Sequence, residues 1–204
     1  MKYGEFNMGH AEALLNKIGG MEGMNKLLSG ELVVTDPANL ATKPQLRKST
    51  STKVLADLLE LTGEPIQLPV SDCFVARDKF REDRNGELPI SYLGDNFKAN
   101  FLDKVEERVE KTTLKRRKLL KSLPDALILD ALGGHDKAEV KLAHVFEFLK
   151  MADRNHWFIF YVRDAKGILW AVRAGWGGRG WVVRADSVSG PHRWLVGDVV
   201  VSAR

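Results

Sequence analysis

An α+β fold, with helical hairpins followed by a C-terminal four-stranded antiparallel β-meander, is predicted by three features of this 204-residue sequence. Apolar residues recur three and four apart in several stretches before residue 152. From Trp157 the period falls to two, and Gly-containing breaks divide the remainder into four β-like runs. All five tryptophans (Trp157, Trp170, Trp176, Trp181, Trp194) lie in that last segment.

In chain order, Met8, Ala11, Leu15 and Ile18 share a helical face that stops at Gly19 and Gly20, and Met21, Met24, Leu27 and Leu28 repeat the pattern up to Gly30. Residues 1–35 are therefore predicted to be a helical hairpin. Residues 36–52 hold two prolines and many Thr and Ser, which marks a linker or long loop. The remainder, 53–204, is predicted to be one α+β domain with its meander at 157–204.

That domain opens with a predicted helix over 53–61, on the strength of Val54, Leu55, Leu58, Leu59 and Leu61, closed by Gly63 and Pro65. Residues 66–92 look β-like, with Asn85 and Gly86 as a hairpin-turn signal. Phe97, Phe101, Val105 and Val109 stand four apart and predict a helix from Asp95 or Asn96 to about Lys111. Residues 112–122 fit either a continued helix or a strand begun by Thr112 and Thr113. Ser122, Pro124 and Asp125 signal a helix start, and that helix should end at Leu132 before Gly133 and Gly134. Asp136 and Glu139 have capping-box spacing ahead of an amphipathic helix with Ala138, Leu142, Val145, Phe146 and Leu149 on one face. The four runs of the meander are 157–163, 168–174, 181–187 and 194–202. Within them Ile168, Trp170, Val172 and Trp181, Val183, Ala185 fall on one face and Arg173 and Arg184 on the other, so one face should be packed and the other wet and basic.

Composition is that of an ordinary globular protein, 44% hydrophobic and 28% charged. The single Cys73 permits no intramolecular disulfide and no cysteine zinc site. A reducing cytoplasm is the expected compartment. No apolar run reaches the ~18 residues of a membrane span, and no secretory signal is expected, since no basic region followed by an apolar core stands near Met1. The net charge of +4 is carried by residues 157–204, which hold seven Lys/Arg against three Asp; the preceding residues balance. Six of those seven cations are Arg, which stacks on rings and forks onto phosphate or carboxylate.

The stretches 90–107 (ISYLGDNFKANFLDKVEE), 132–144 (LGGHDKAEVKLAH), 170–188 (WAVRAGWGGRGWVVRADSV) and 193–204 (RWLVGDVVVSAR), with 19–34 (GGMEGMNKLLSGELVV) near the N-terminus, resemble a recurring family of bacterial proteins with no assigned activity. The resemblance implies bacterial origin and a shared fold. It transfers no functional residue.

Several motifs invite a chemical reading. Gly175, Gly177 and Gly180 satisfy G-x-G-x-x-G, but the following WVVRADS alternates as a strand, so a hairpin loop is predicted rather than a dinucleotide cradle. Lys115, Arg116, Arg117 and Lys118 form the densest basic run, read as a solvated face neutralised by Glu106, Glu107 and Glu110 upstream. The five histidines show no metal-ligand spacing, and no nucleophile elbow or phosphate loop is present. No catalytic residue, metal site or cofactor is therefore expected. The candidate binding residues are Arg173, Arg184, Arg179 and Trp176, an Arg/Trp set that could grip phosphate and stack on a base. Single-stranded nucleic acid is the expected partner. A protein partner recognised by the same Trp and Arg residues is the alternative. A small hydrolase using His192 with Asp186 or Asp198 is the third reading.

Overall fold

The computed structural model of the protein describes residues 20–22, 25 and 57–203, and the latter are organised around strand β6 (Phe158–Arg163). Every β6 residue except Arg163 is buried, as a central strand covered on both faces requires. On one side β6 pairs antiparallel with β7 (Leu169–Trp176), which pairs antiparallel with β8 (Trp181–Ser187). On its other side it pairs parallel with β9 (Val199–Ser202). Beyond β9 come β5 (Thr112–Leu119) and then β1 (Leu59–Leu68), both antiparallel to their neighbours. Beyond β8 lies β3 (Ile90–Leu93), parallel to it. The result is a mixed seven-stranded sheet of order β1-β5-β9-β6-β7-β8-β3, beside a two-stranded ladder of β2 (Phe74–Val75) and β4 (Val105–Glu106).

Each face of the sheet has its own core. The first face packs against α1 (Ala76–Lys79), α2 (Asp95–Phe101) and α5 (Leu142–Met151), with Phe97, Phe101, Phe146 and Phe148 meeting Phe158, Phe160, Val172 and Val183. Phe148 stands edge-on to Phe158 and Phe160 at 5.1 and 5.3 Å, a favoured aromatic geometry. The second face packs Ile159, Tyr161, Ala171 and Val200 against Ile128, Leu129 and Leu132 of α3 (Asp125–Leu132).

This arrangement corrects the expected fold. The C-terminal segment is not a four-stranded antiparallel meander. Three of its runs pair in sequence, but the fourth leaves the β8 edge, crosses to the far side of β6 and runs parallel to it. Trp194 explains the departure, because its ring is buried in the second core rather than extended beside β8. The expectation of one wet face is corrected as well. Arg173 and Arg184 do lie opposite the first core, but most of their face is buried beneath α3.

Local expectations fail where a distant partner outweighs local pattern. The predicted 53–61 helix and the N-terminal hairpin fall partly outside the described residues, and the 36–52 linker wholly outside them. Asp57 and Leu58 are helical, but Leu59 begins strand β1 because it pairs with Leu119. Gly63, at φ +64°, sits in the register shift between Thr62 and Ile66. The helix predicted to reach Lys111 stops at Phe101, and Glu106 is turned to another use: its carboxylate accepts the N–H groups of Leu142 and Ala143 at 3.0 and 2.9 Å, capping α5. The turn near Asn85 and Gly86 joins no hairpin, since β2 pairs with β4 and β3 with β8. The basic run at 115–118 lies in β5 with its side chains split between faces; Arg117 is buried and donates to Ser202 Oγ at 2.8 Å, and Arg116 pairs with Asp153. The anticipated capping box is absent too. A short α4 (His135–Ala138) ends at Glu139, where Val140 N–H bonds the Tyr161 carbonyl at 2.8 Å before α5 begins.

The Gly133 turn does form. Gly133 caps α3 at φ 91° and ψ 29°, the left-handed region that a β-branched residue resists. Gly133→Val is therefore expected to lower stability by on the order of 1–2 kcal/mol. A thermal melt unchanged by this substitution would refute the cap.

Candidate functional site

The site starts from Asp125, the first residue of α3. Its Oδ1 accepts the Tyr161 hydroxyl and the Trp194 indole N–H, each at 2.8 Å, and all three side chains are buried. The helix start signalled by Ser122, Pro124 and Asp125 does form, with Pro124 as the N-cap and no side-chain cap bond. Burial pushes the Asp125 carboxyl above its ordinary value, against the lowering effect of both hydrogen bonds. Burial and the neighbouring carboxylate push Tyr161 well up, so its hydroxyl remains a donor at neutral pH.

Trp194, fixed in this way, forms one wall of a cavity of about 230 Å³. Trp157, Arg173, His192 and Asp198 line it with the exposed Arg193 and Leu195. The His192 ring stands edge-on to Trp194 at 4.5 Å. Trp157, 40% exposed, lies over Gly175; an added Cβ there would fall 2.4 Å from the indole, so a glycine is what lets the ring rest on the sheet. The Arg173 guanidinium carbon lies 5.6 Å from the centre of the Trp157 ring and 6.0 Å from that of Trp194. Its Nε faces Asp186 Oδ2 at 3.3 Å but outside hydrogen-bond geometry, and both atoms are buried without a hydrogen bond. Asp198 Oδ2 accepts the Leu195 N–H at 3.0 Å, while burial raises its carboxyl against that bond and the charges of Arg173 and His192.

Beyond the cavity the same sheet face continues toward its β3 edge. Arg184 is the direct cross-strand neighbour of Arg173, and its guanidinium lies 5.4 Å from the ring of Tyr92, which is 40% exposed. Tyr92 is in register with Val182, and Val182 with Gly175, over which Trp157 rests. Two exposed rings therefore flank this face, with two arginines on the adjacent rung.

The four predicted residues do not form one cluster. Arg173 and Arg184 come together. Trp176 is on the opposite face, as an odd separation of three along a strand dictates, packed edge-on against Trp181 at 5.6 Å and covered by Arg154 at 3.9 Å. Arg179 is exposed at the tip of the β7–β8 hairpin, the loop predicted in place of a dinucleotide cradle. His192 and Asp198 do line one cavity. Asp186 instead sits beside Arg173. The sequence reading missed Trp157 and Tyr92. Alternation along 157–163 could place Trp157 opposite Phe158, but its seat on Gly175 requires the β6–β7 register, and Tyr92 requires the parallel β3–β8 pairing.

No protein-family model, no curated protein and no solved structure matches the chain.

The buried carboxylate yields a signed pH dependence. A raised pKa in the fold means that Asp125 contributes stability fully below its unfolded value, near ~4, and that this contribution is lost as pH rises toward the folded value. Asp125→Asn keeps an acceptor for Tyr161 and Trp194 but cannot ionise. Urea titrations from pH 4 to 7 should therefore show the unfolding free energy of the variant gaining on wild type as pH rises; a constant difference would show that Asp125 ionises in the fold without penalty.

Proposed function

We propose that the chain is a non-enzymatic binding protein that contacts single-stranded nucleic acid through the Tyr92, Arg184, Arg173 and Trp157 face. The observation that carries this reading is the pair of exposed rings flanking two adjacent arginines on one sheet surface. Rings accept any base by stacking, at ~1–3 kcal/mol each, and arginines track the backbone. Directly opposed like charges on neighbouring strands repel. Asp186, 3.3 Å from Arg173, offsets part of this repulsion, and a phosphate bound at Arg184 would offset more of it.

A second reading is favoured by one observation: Leu195, which lines the cavity with Trp157, and its chain neighbour Val196 are 67% and 64% exposed. An apolar rim of this kind suits a protein partner docking on Trp157 and the arginines. Salt separates the two, because phosphate contacts weaken steeply as salt rises and a Trp-centred protein interface weakens little.

Fluorescence anisotropy of a labelled oligonucleotide at several salt concentrations tests the first reading. Affinity should fall as salt rises, and Arg184→Ala should reduce the log–log slope by about 0.7 for each phosphate that the arginine neutralises. Gly175→Ala, which unseats Trp157, should weaken binding roughly 5- to 150-fold. Trp176→Phe, on the other face, should leave it unchanged. Absence of binding at low salt would remove the nucleic-acid reading and leave the protein partner.

A further inference from the structure

We infer that the cavity lined by Trp157, Arg173, Trp194 and Asp198 holds a single guanine base. The inference rests on the nucleic-acid reading and goes on to say which base the site selects. Size limits the occupant first. About 230 Å³ lies below the roughly 300–1,000 Å³ that encloses drug-sized ligands, which leaves room for one ring system. The walls set its shape, since Trp157, 40% exposed, offers a flat apolar face beside the buried Trp194 and the ring of His192.

The polar atoms then set its edge. Arg173 makes no hydrogen bond among the described residues; its buried Nε faces Asp186 at 3.3 Å, which leaves the two terminal nitrogens as the donor fork for an acceptor. Asp198 has Oδ2 engaged by the Leu195 N–H, and Oδ1 accepts nothing among the described residues. A donor fork therefore stands near an acceptor in one small cavity, close enough that the Arg173 charge acts on Asp198. Guanine presents the complementary pattern: O6 and N7 accept, the arrangement that Arg reads in a fork, and the adjacent N1–H and N2–H groups donate. Uracil and thymine set carbonyls on both sides of their one ring N–H and would oppose the Asp198 carboxylate. Adenine sets its N6 amine donor beside N7, so the Arg173 fork would meet one acceptor and one donor instead of two acceptors. Arg193, at the mouth of the cavity, can meet the phosphate of the same nucleotide.

The test uses the full chain and four labelled oligonucleotides: an oligo(dT), and the same strand with one central dG, dA or dC. The dG strand should bind at least about tenfold more tightly than oligo(dT). In Asp198→Asn the Leu195 N–H keeps its acceptor while the cavity receives an amide donor; the dG advantage should vanish while affinity for oligo(dT) persists. Merely loosening the 188–198 segment would weaken all four strands alike. Free guanosine monophosphate, followed by quenching of tryptophan fluorescence, distinguishes a mononucleotide from a base within a strand. Quenching by this nucleotide with no affinity for any strand would uphold the guanine pocket and remove the nucleic-acid reading. Equal, salt-sensitive affinity for all four strands would overturn the pocket alone. No binding of strands or nucleotide would overturn both.

Discussion

One carboxylate holds the second face of this protein together. Asp125 receives a strand hydroxyl, Tyr161, and a loop indole, Trp194, on a single oxygen, at the point where α3 begins. Those bonds tie three distant pieces of chain: the central strand, the helix laid across it, and the segment that carries the chain from β8 to β9. Buried hydrogen bonds to a charged group contribute roughly 1.5–3 kcal/mol each, and losing one partner strands the rest. The arrangement also sets the path of the C-terminus. With Trp194 anchored under α3 and bridged to Leu123, the chain emerges beside β6 rather than beside β8, and β9 completes the sheet there in parallel.

What the sequence made legible was local. Gly133 before a second helical pattern located a turn, and alternation from Trp157 onward sorted Arg173 and Arg184 from Val172, Val183 and Ala185. The β-branched residues after Gly180 distinguished a hairpin loop from a phosphate cradle. What it hid depended on partners remote in the chain. Nothing in residues 59–68 announces that Leu59 will meet Leu119, so a leucine-rich stretch ending in Gly63 and Pro65 suggests a helix. Likewise Phe97, Phe101, Val105 and Val109 suggest one long helix because Glu106 does not reveal that it will cap α5. The order of strands in a sheet is set by crossovers, and periodicity along one strand contains no information about them.

The candidate site shows the same division. Trp176 and Arg179 looked like partners because they are neighbours in sequence, yet strand geometry places Trp176 with Trp181 on the helix-covered face. Trp157 took its place through a register relation: a glycine one strand over gives it a seat. Gly175 looks in sequence like one letter of a nucleotide motif, and in the fold it is the floor beneath an indole.

The cavity exists because the helix covering this face is short. Eight residues of α3 span about 12 Å at 1.5 Å per residue, whereas the eight residues of β7 extend about 26 Å. The helix can cover the rungs of Tyr161 and Ala171, where the buried Ile128, Leu129 and Leu132 meet the sheet, but not the whole strand. Past its reach a sheet face must either remain apolar and exposed, which invites association, or carry charge. This one carries Arg173 and Arg184, yet retains Trp157 and Tyr92 beside them. Charge alone would have kept the surface solvated; long aliphatic stems with charged heads do so without rings. The exposed rings are the part that solubility leaves unexplained, and they are the observation behind the proposal that the uncovered end of this face is a contact surface.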